Sequence, residues 1–486
     1  MKTVRFASVA MCAVFAVSMA ACGAVEPEKE GGNVHDCLDA PTGIPDYEAD
    51  KDRLNLDIVG FSMPALQTEE QVRFIAEAGV TAMYIDRWTG RDINTEALVT
   101  TLELFGKYGI DGYVALNNGW ASRGNGSLGN PWISVSEIIT DYTQYPAFKG
   151  IMVFDEPGGS TGNTEDESTN DFAFLEREYE NFKKLWSDGV FTQGTYHDYK
   201  FLVNLNADYK DVYLPATNRL FPMIEDEVVV SYDYYPLEYE TKTDRCSLSE
   251  WYLFACEMFA VANRDHVKNN GSKNPNTASE LWAYVQTTDF NRTGRTAETD
   301  GMLSEFEMRF QYNTHFAFGA RGIELFVYGD TASHPGMIRA DGRKTDAYEY
   351  VKNVNAENEK WAHVLMNFDW KGVMTVLGEK NTEGYNELFD AMRGDGLTES
   401  DRIRSLSATR DTLVGVFRDK NGYDGFMFVN FNDPFYRKSD TVTVRFNNAT
   451  KAVVYVRGER EVVDLADGTL TYKLTSGDAA FVIPVV

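Results

Sequence analysis

From Leu56 to Tyr328 the chain alternates short, continuous apolar runs with stretches of helical spacing. Leu56–Met63 is the first such run. Thr68-Glu69-Glu70-Gln71 follows with the spacing of a capping box. Val72, Ile75 and Ala76 then recur on one helical face, Gly79 stops that helix, and Val80–Asp86 is the next apolar run. The same phrase returns as helix Glu96–Lys107, Gly109 and strand Ile110–Asn117, and again as Phe310–Phe318, Gly319 and Gly322–Tyr328. Further strands are predicted at Gly150–Phe154, Phe201–Leu205, Val228–Tyr232 and Leu281–Gln286, making eight. Continuous apolar runs are what strands show when both faces of a parallel sheet are buried. Eight of them, each followed by a helix or long loop, predict a (β/α)8 TIM barrel of roughly the usual ~250 residues. An open doubly wound sheet would carry a glycine-rich phosphate turn after its first strand, and none stands there.

After Trp370 the pattern changes. Gly372–Leu377, Leu413–Phe417, Gly425–Asn430, Thr441–Phe446, Ala452–Arg457, Glu461–Leu465, Leu470–Leu474 and Ala479–Val485 are short, partly alternating segments separated by turns such as Asp419–Gly422 and Asp467-Gly468. They predict a small C-terminal all-β sandwich without helices. At the other end, Lys2 and Arg5 precede an apolar run from Ala7 to Ala21, too short to span a bilayer, which reads as a signal peptide. Its close, Met19-Ala20-Ala21-Cys22, resembles the bacterial lipoprotein signal. That resemblance implies lipidation of Cys22 and a place in the cell envelope, anchored to the outer membrane and surface-exposed. The expected divisions are therefore a signal peptide (1–21), a flexible tether (22–53) rich in Glu and Gly, a barrel (54–370) and a sandwich (371–486).

The 486 residues carry 46 Lys+Arg against 74 Asp+Glu, a net charge of −28. That balance disfavours nucleic acid and anionic membrane surfaces as partners, leaving the lipid anchor as the membrane contact. Five cysteines are too few for a disulfide scaffold. Cys256 lies in a helical apolar stretch and reads as buried and structural, while Cys246 is free to pair with Cys37. No CxxC or HxH spacing offers a metal site, and no cofactor is implied.

Barrel chemistry lies at the carboxyl ends of the strands. The residues there are Asp86, Arg87 and Trp88 after strand 2, and Asn117, Asn118 and Trp120 after strand 3. Asp155 and Glu156 follow strand 4, and Asn204 and Asn206 strand 5. Tyr232, Asp233, Tyr234 and Tyr235 follow strand 6, Gln286 strand 7, and Tyr328 and Asp330 strand 8. Carboxylates and amides that bond hydroxyls, with aromatic faces for C–H surfaces, suit an oligo- or polysaccharide better than a phosphorylated ligand.

At this point the chain resembles the superfamily of (β/α)8 glycoside hydrolases, over about residues 55–370. The most specific element is GIMVFDEPG, where Asp155-Glu156-Pro157 stands in place of the Asn-Glu-Pro of its retaining members. By this resemblance Glu156 is the general acid/base. The superfamily's nucleophilic Glu at the end of strand 7 is replaced here by Gln286. The second carboxylate must then come from elsewhere, with Asp233 the first choice and Glu324, in GIELFVYG, the second; Asp233 equally fits a role in binding substrate hydroxyls. Two functions stay open: a glycoside hydrolase acting on an extracellular glycan, and a glycan-binding lipoprotein on a barrel that has lost catalysis.

Overall fold

The computed structural model describes residues 41–52, 54–64, 68–86, 95–115, 142–157, 165–187, 199–206, 220, 228–240, 245–248, 251–270, 280–289, 302–331, 334–380, 386–392 and 400–486. Signal peptide, Cys22, Cys37, Arg87, Trp88, Asn117, Asn118 and Trp120 lie outside these residues. So do the side chains of Asp86, Asn206 and Cys246.

Strands β1 (Asp57–Pro64), β2 (Ala82–Asp86), β3 (Asp111–Ala115), β4 (Phe148–Asp155), β5 (Lys200–Asn206) and β6 (Val228–Asp233) run parallel. A hairpin, β7 (Leu237–Glu240) and β8 (Arg245–Leu248), then intervenes before β9 (Glu280–Gln286) and β10 (Gly322–Phe326). β10 pairs with both β9 and β1, which closes an eight-stranded parallel barrel. All eight expected strands are present; the hairpin was not expected.

Helices α1 (Glu69–Glu77), α2 (Thr95–Tyr108), α3 (Glu165–Ser187), α4 (Tyr252–Asn270), α5 (Glu305–Ala317) and α6 (Asp346–Glu359) accompany the barrel strands. The predicted capping box starts α1: Thr68 Oγ1 accepts from the Gln71 N–H at 3.3 Å, and Gln71 Oε1 accepts from the Thr68 N–H at 2.9 Å. The glycine of the repeated phrase has a mechanical cause. Gly79, Gly109 and Gly319 all take left-handed φ, at +67°, +68° and +82°, to end a helix and turn into a strand.

Alternate strand residues point into the barrel or out to the helices. Inside lie Val59, Ala82, Tyr84, Tyr113, Met152, Leu202, Val229, Trp282 and Tyr284. The floor of the barrel, at the amino ends of the strands, is ionic. Lys200 Nζ donates to Asp57 at 2.6 Å and to Glu280 at 2.8 Å, and lies 4.5 Å from the Trp282 ring centroid. Burial and the charge of Asp57 push Asp111, at the start of β3, up to about 6.

A short helix α7 (Ala362–Leu365) leads to β11 (Phe368–Val376), helix α8 (Asn386–Ala391), β12 (Ile403–Ala408), β13 (Thr412–Asp419), β14 (Asp424–Asn430), β15 (Asp440–Phe446), β16 (Lys451–Val456), β17 (Glu459–Asp464), β18 (Thr469–Leu474) and β19 (Ala479–Val485). They form a six-stranded sheet, β11-β13-β14-β19-β16-β17, and a three-stranded one, β12-β15-β18. One face of the larger sheet packs on the barrel helices through Phe417, Met427 and Phe481, in one core with Phe310 and Trp361. Its other face packs through Val416, Phe426, Phe428 and Val482 on Val442, Val444 and Leu470 of the smaller sheet. Helix α8 corrects the expectation of a helix-free region. β12 went unseen because Ile403, Leu406 and Ala408 are its only apolar residues, and most of its side chains are solvated.

Residues 41–52, expected to belong to the tether, lie against the sandwich. Tyr47 is buried, donates to Asp419 Oδ2 at 3.0 Å and packs on Phe368, and the Tyr423 hydroxyl donates to the Gly43 carbonyl at 3.2 Å. An aromatic ring with a polar partner at its tip is enough to lay residues 41–52 on the sandwich.

Candidate active site at the carboxyl end of the barrel

Strand β4 does not alternate evenly. Its register with β5 shifts between Met152 and Phe154. Met152 faces the interior, but Val153 and Phe154 both pack outward against the helix layer. This is a β-bulge, which re-aims the residues that follow it. Simple alternation from Met152 would have sent Glu156 inward and Asp155 outward. With the bulge, Asp155 reaches Asn204 on β5, whose Nδ2 donates to Asp155 Oδ1 at 2.9 Å. Asn204 Oδ1 in turn accepts from Ser231 on β6 at 3.2 Å.

Glu156 follows with φ of +55° and is half-buried. Its N–H donates to the Asn204 carbonyl at 2.9 Å. A left-handed glutamate is sterically disfavoured, and such residues gather where function over-determines the backbone. One asparagine thus holds two consecutive acidic residues, one through its side chain and the other through its main chain.

Glu324 lies mid-strand on β10, level with Val59 and Tyr284, and is fully buried. Its Oε1 accepts from the Tyr84 hydroxyl. Burial, with a smaller push from the charge of Asp155, raises its carboxyl to about 8 against the pull of the Tyr84 hydrogen bond. With no exposed surface it does not meet a substrate, which corrects its candidacy as a catalytic group. Asp233 ends β6 on the inward parity set by Ser231 and is buried, opposite Asn206 in register.

Three tyrosines expected at the mouth lie elsewhere. Tyr232 stacks on Phe259 of α4 at 4.5 Å and bonds His315 at 3.0 Å. Tyr234 stacks on Tyr252 at 5.6 Å. Both share the outward parity of Val228 and Val230, the face that meets the helices. Tyr328 lies beyond the end of β10 and belongs to the same outer core. The fourth, Tyr235, packs 4.9 Å from Phe326, which stacks on Phe61 at 5.6 Å and meets His334 at 5.3 Å. Phe61, Tyr235 and Phe326 are part-exposed and form an aromatic cluster over Tyr84 and Tyr284. Phe61 and Phe326 were not among the residues expected at the mouth. Their place at the last inward positions of strands was the available signal.

Gln286 ends β9 level with Phe326, but its amide is not open to a ligand. It is fully buried, accepts from the Leu237 N–H at 2.7 Å and donates to the Leu237 carbonyl at 3.1 Å, so it pins the start of the β7–β8 hairpin. Asp330 is likewise structural, accepting from the Gly336 and Ala340 N–H groups at 2.7 and 2.9 Å and from Arg339 at 3.2 Å. Cys256 is buried, as read, and burial pushes its thiol up to about 12. Among the described residues no group of three or more His, Cys, Asp or Glu is arranged to hold a metal ion, and no helix is long and apolar enough to cross a membrane.

No family model matches the chain, and no curated protein does. Solved structures that resemble it are glycosidases. A GH42 β-galactosidase from G. stearothermophilus aligns at 10% identity and a TM-score of 0.48, over 88% of this chain and 98% of its own. A GH27 β-L-arabinopyranosidase from Geobacillus stearothermophilus aligns at 10% and 0.47, over 89% and 97%. A β-galactosidase from the psychrophilic Marinomonas ef1 aligns at 12% and 0.41, over 69% of this chain and 65% of its own, so the chain spans less than two thirds of that enzyme. At these values the likeness brings no activity across, and the barrel stands on the strand order described above.

Proposed function

We propose that the chain is a glycoside hydrolase cleaving O-glycosidic bonds of a neutral or weakly charged extracellular glycan at the mouth of the barrel. The observation that carries this reading is the double hold of Asn204 on Asp155 and Glu156. Proton transfer to a glycosidic oxygen needs a carboxyl of fixed position that substrate can reach, and Glu156, half-exposed and pinned by its main chain, fits that role of general acid/base. Asp155 is the inward anion, suited to oppose the positive charge of an oxocarbenium-like transition state. Asp233 is the further carboxylate available to activate a water. Phe61, Tyr235 and Phe326 offer ring faces to the C–H surfaces of a sugar. The setting proposed with it is the cell envelope, through a lipidated Cys22.

Gln286 favours a second reading. Where the superfamily keeps a nucleophile, this amide is committed to Leu237, as expected of a glycan-binding barrel without turnover. The test is hydrolysis of a panel of neutral glycans by the wild type, Glu156→Gln and Asp233→Asn, with binding measured alongside. Loss of a general acid lowers turnover by about 10²–10⁴-fold. Background turnover by all three proteins, with binding intact, establishes the binding protein instead.

A further inference from the structure

The proposed reaction leaves Glu324 without a task, and its surroundings supply one. Its carboxyl has no exposed surface. Tyr84 from β2 donates to Oε1, while Oε2 has no hydrogen-bond partner among the described residues. The Tyr284 hydroxyl, on the neighbouring strand and in register with Glu324, has none either. The titratable groups that face Glu324 are Tyr84, Tyr284 from β9 and Asp155 from β4; Ser231 from β6 adds a neutral hydroxyl. Burial holds both tyrosines well above their ordinary range, so they stay neutral.

Two neighbouring carboxylates, one of them fully buried, do not both ionise readily. Asp155 is part-exposed and receives the Asn204 amide, which favours its anion. Glu324 has no exposed surface, and for it the cost of burial outweighs the hydrogen bond from Tyr84. With Oε1 taken by the Tyr84 hydroxyl, Oε2 is the oxygen left to carry a proton.

We propose that Glu324 is a positioning residue, which holds a proton inside the barrel beneath the mouth and so keeps Asp155 ionised and in place on Asn204, while Tyr84 fixes the carboxyl through Oε1. The proposal rests on the reaction assigned to the mouth above. Ionising Glu324 would put a second negative charge beside Asp155 and drive it from its seat. The link is therefore electrostatic and reciprocal: a charge on either carboxyl disfavours a charge on the other.

The test is Glu324→Gln, which keeps shape and neutrality. In the wild type kcat is expected to fall as pH rises through about 8, the value at which its surroundings, burial foremost, set Glu324, with KM little changed. In the variant kcat is expected to match wild type at neutral pH and to lose that alkaline fall. An identical fall in the variant overturns the proposal. A second readout needs no turnover: the infrared carbonyl band of a protonated, buried carboxyl should be present in the wild type at neutral pH and absent from Glu324→Gln. No such band in the wild type, or an unchanged band in the variant, also overturns it. If Glu324→Gln does not fold, Tyr84→Phe takes its place. Loss of a hydroxyl that favours the anion must move the titration of the band to higher pH, and an unmoved midpoint sinks the idea. A wild type that turns over no glycan but shows the band fails the reaction while supporting Glu324 as the holder of the proton; turnover without the band does the reverse.

Discussion

The floor and the mouth of the barrel both bury carboxyl groups, and they solve the problem in opposite ways. At the floor Asp57 and Glu280 share Lys200, which donates to both and lies over the Trp282 ring. Their cation stands between them, the pattern of an ion cluster that closes one end of a barrel. Higher in the same interior, Asp155 is held by a neutral amide, and Glu324 is held in its neutral form by burial. A compensated cluster is chemically quiet. Carboxyls that differ in protonation state, set by environment, are what acid–base and electrostatic catalysis require.

The contrast can be broken at either end. The largest effects are expected at the mouth. Glu156→Gln should lower turnover by about 10²–10⁴-fold and Asp155→Asn by about 10²–10³-fold, with urea midpoints close to wild type. A parallel loss of stability would make the pair structural. Next is Lys200→Met, which leaves two acids in the floor without their cation and should cost about 3 kcal/mol in urea unfolding. Activity per folded molecule should be unchanged. Gln286→Ala strands the Leu237 N–H and carbonyl and should cost about 2 kcal/mol, with faster hydrogen exchange confined to the β7–β8 hairpin. The smallest effect belongs to Asp111, raised to about 6 by burial and by the charge of Asp57. A raised carboxyl contributes stability that is complete below its unfolded value and is lost as pH rises through about 6. Asp111→Asn should flatten that part of the stability–pH curve, measured as urea midpoints, and an unchanged slope would assign it to another group.

The barrel was legible because strands buried on both faces appear as uninterrupted apolar runs, and because the helix–glycine–strand phrase repeats around Gly79, Gly109 and Gly319. The site was less so. In Met152-Val153-Phe154 nothing distinguishes an evenly alternating strand from one in which two neighbours face the same way, and that one-residue bulge decides which acid of the Asp155–Glu156 pair points inward. Tyr232 and Tyr234 were misplaced although the signal existed: they continue the parity of Val228 and Val230, and in a parallel barrel the wholly apolar parity faces the helices. The role of Gln286 depends on a hairpin whose strands, Leu237–Glu240 and Arg245–Leu248, alternate but are only four residues long and sit among polar and charged residues, too brief a pattern to stand out.

The strap of residues 41–52 has a directional consequence. Tyr47 rests on Phe368, whose carbonyl accepts from Arg321 at 3.2 Å, one residue before β10 begins. The polypeptide is therefore fed in at the end of the barrel opposite its opening. Were the proposed lipid on Cys22 to suspend the molecule from ahead of Pro41, the mouth of the barrel would face away from the point of attachment.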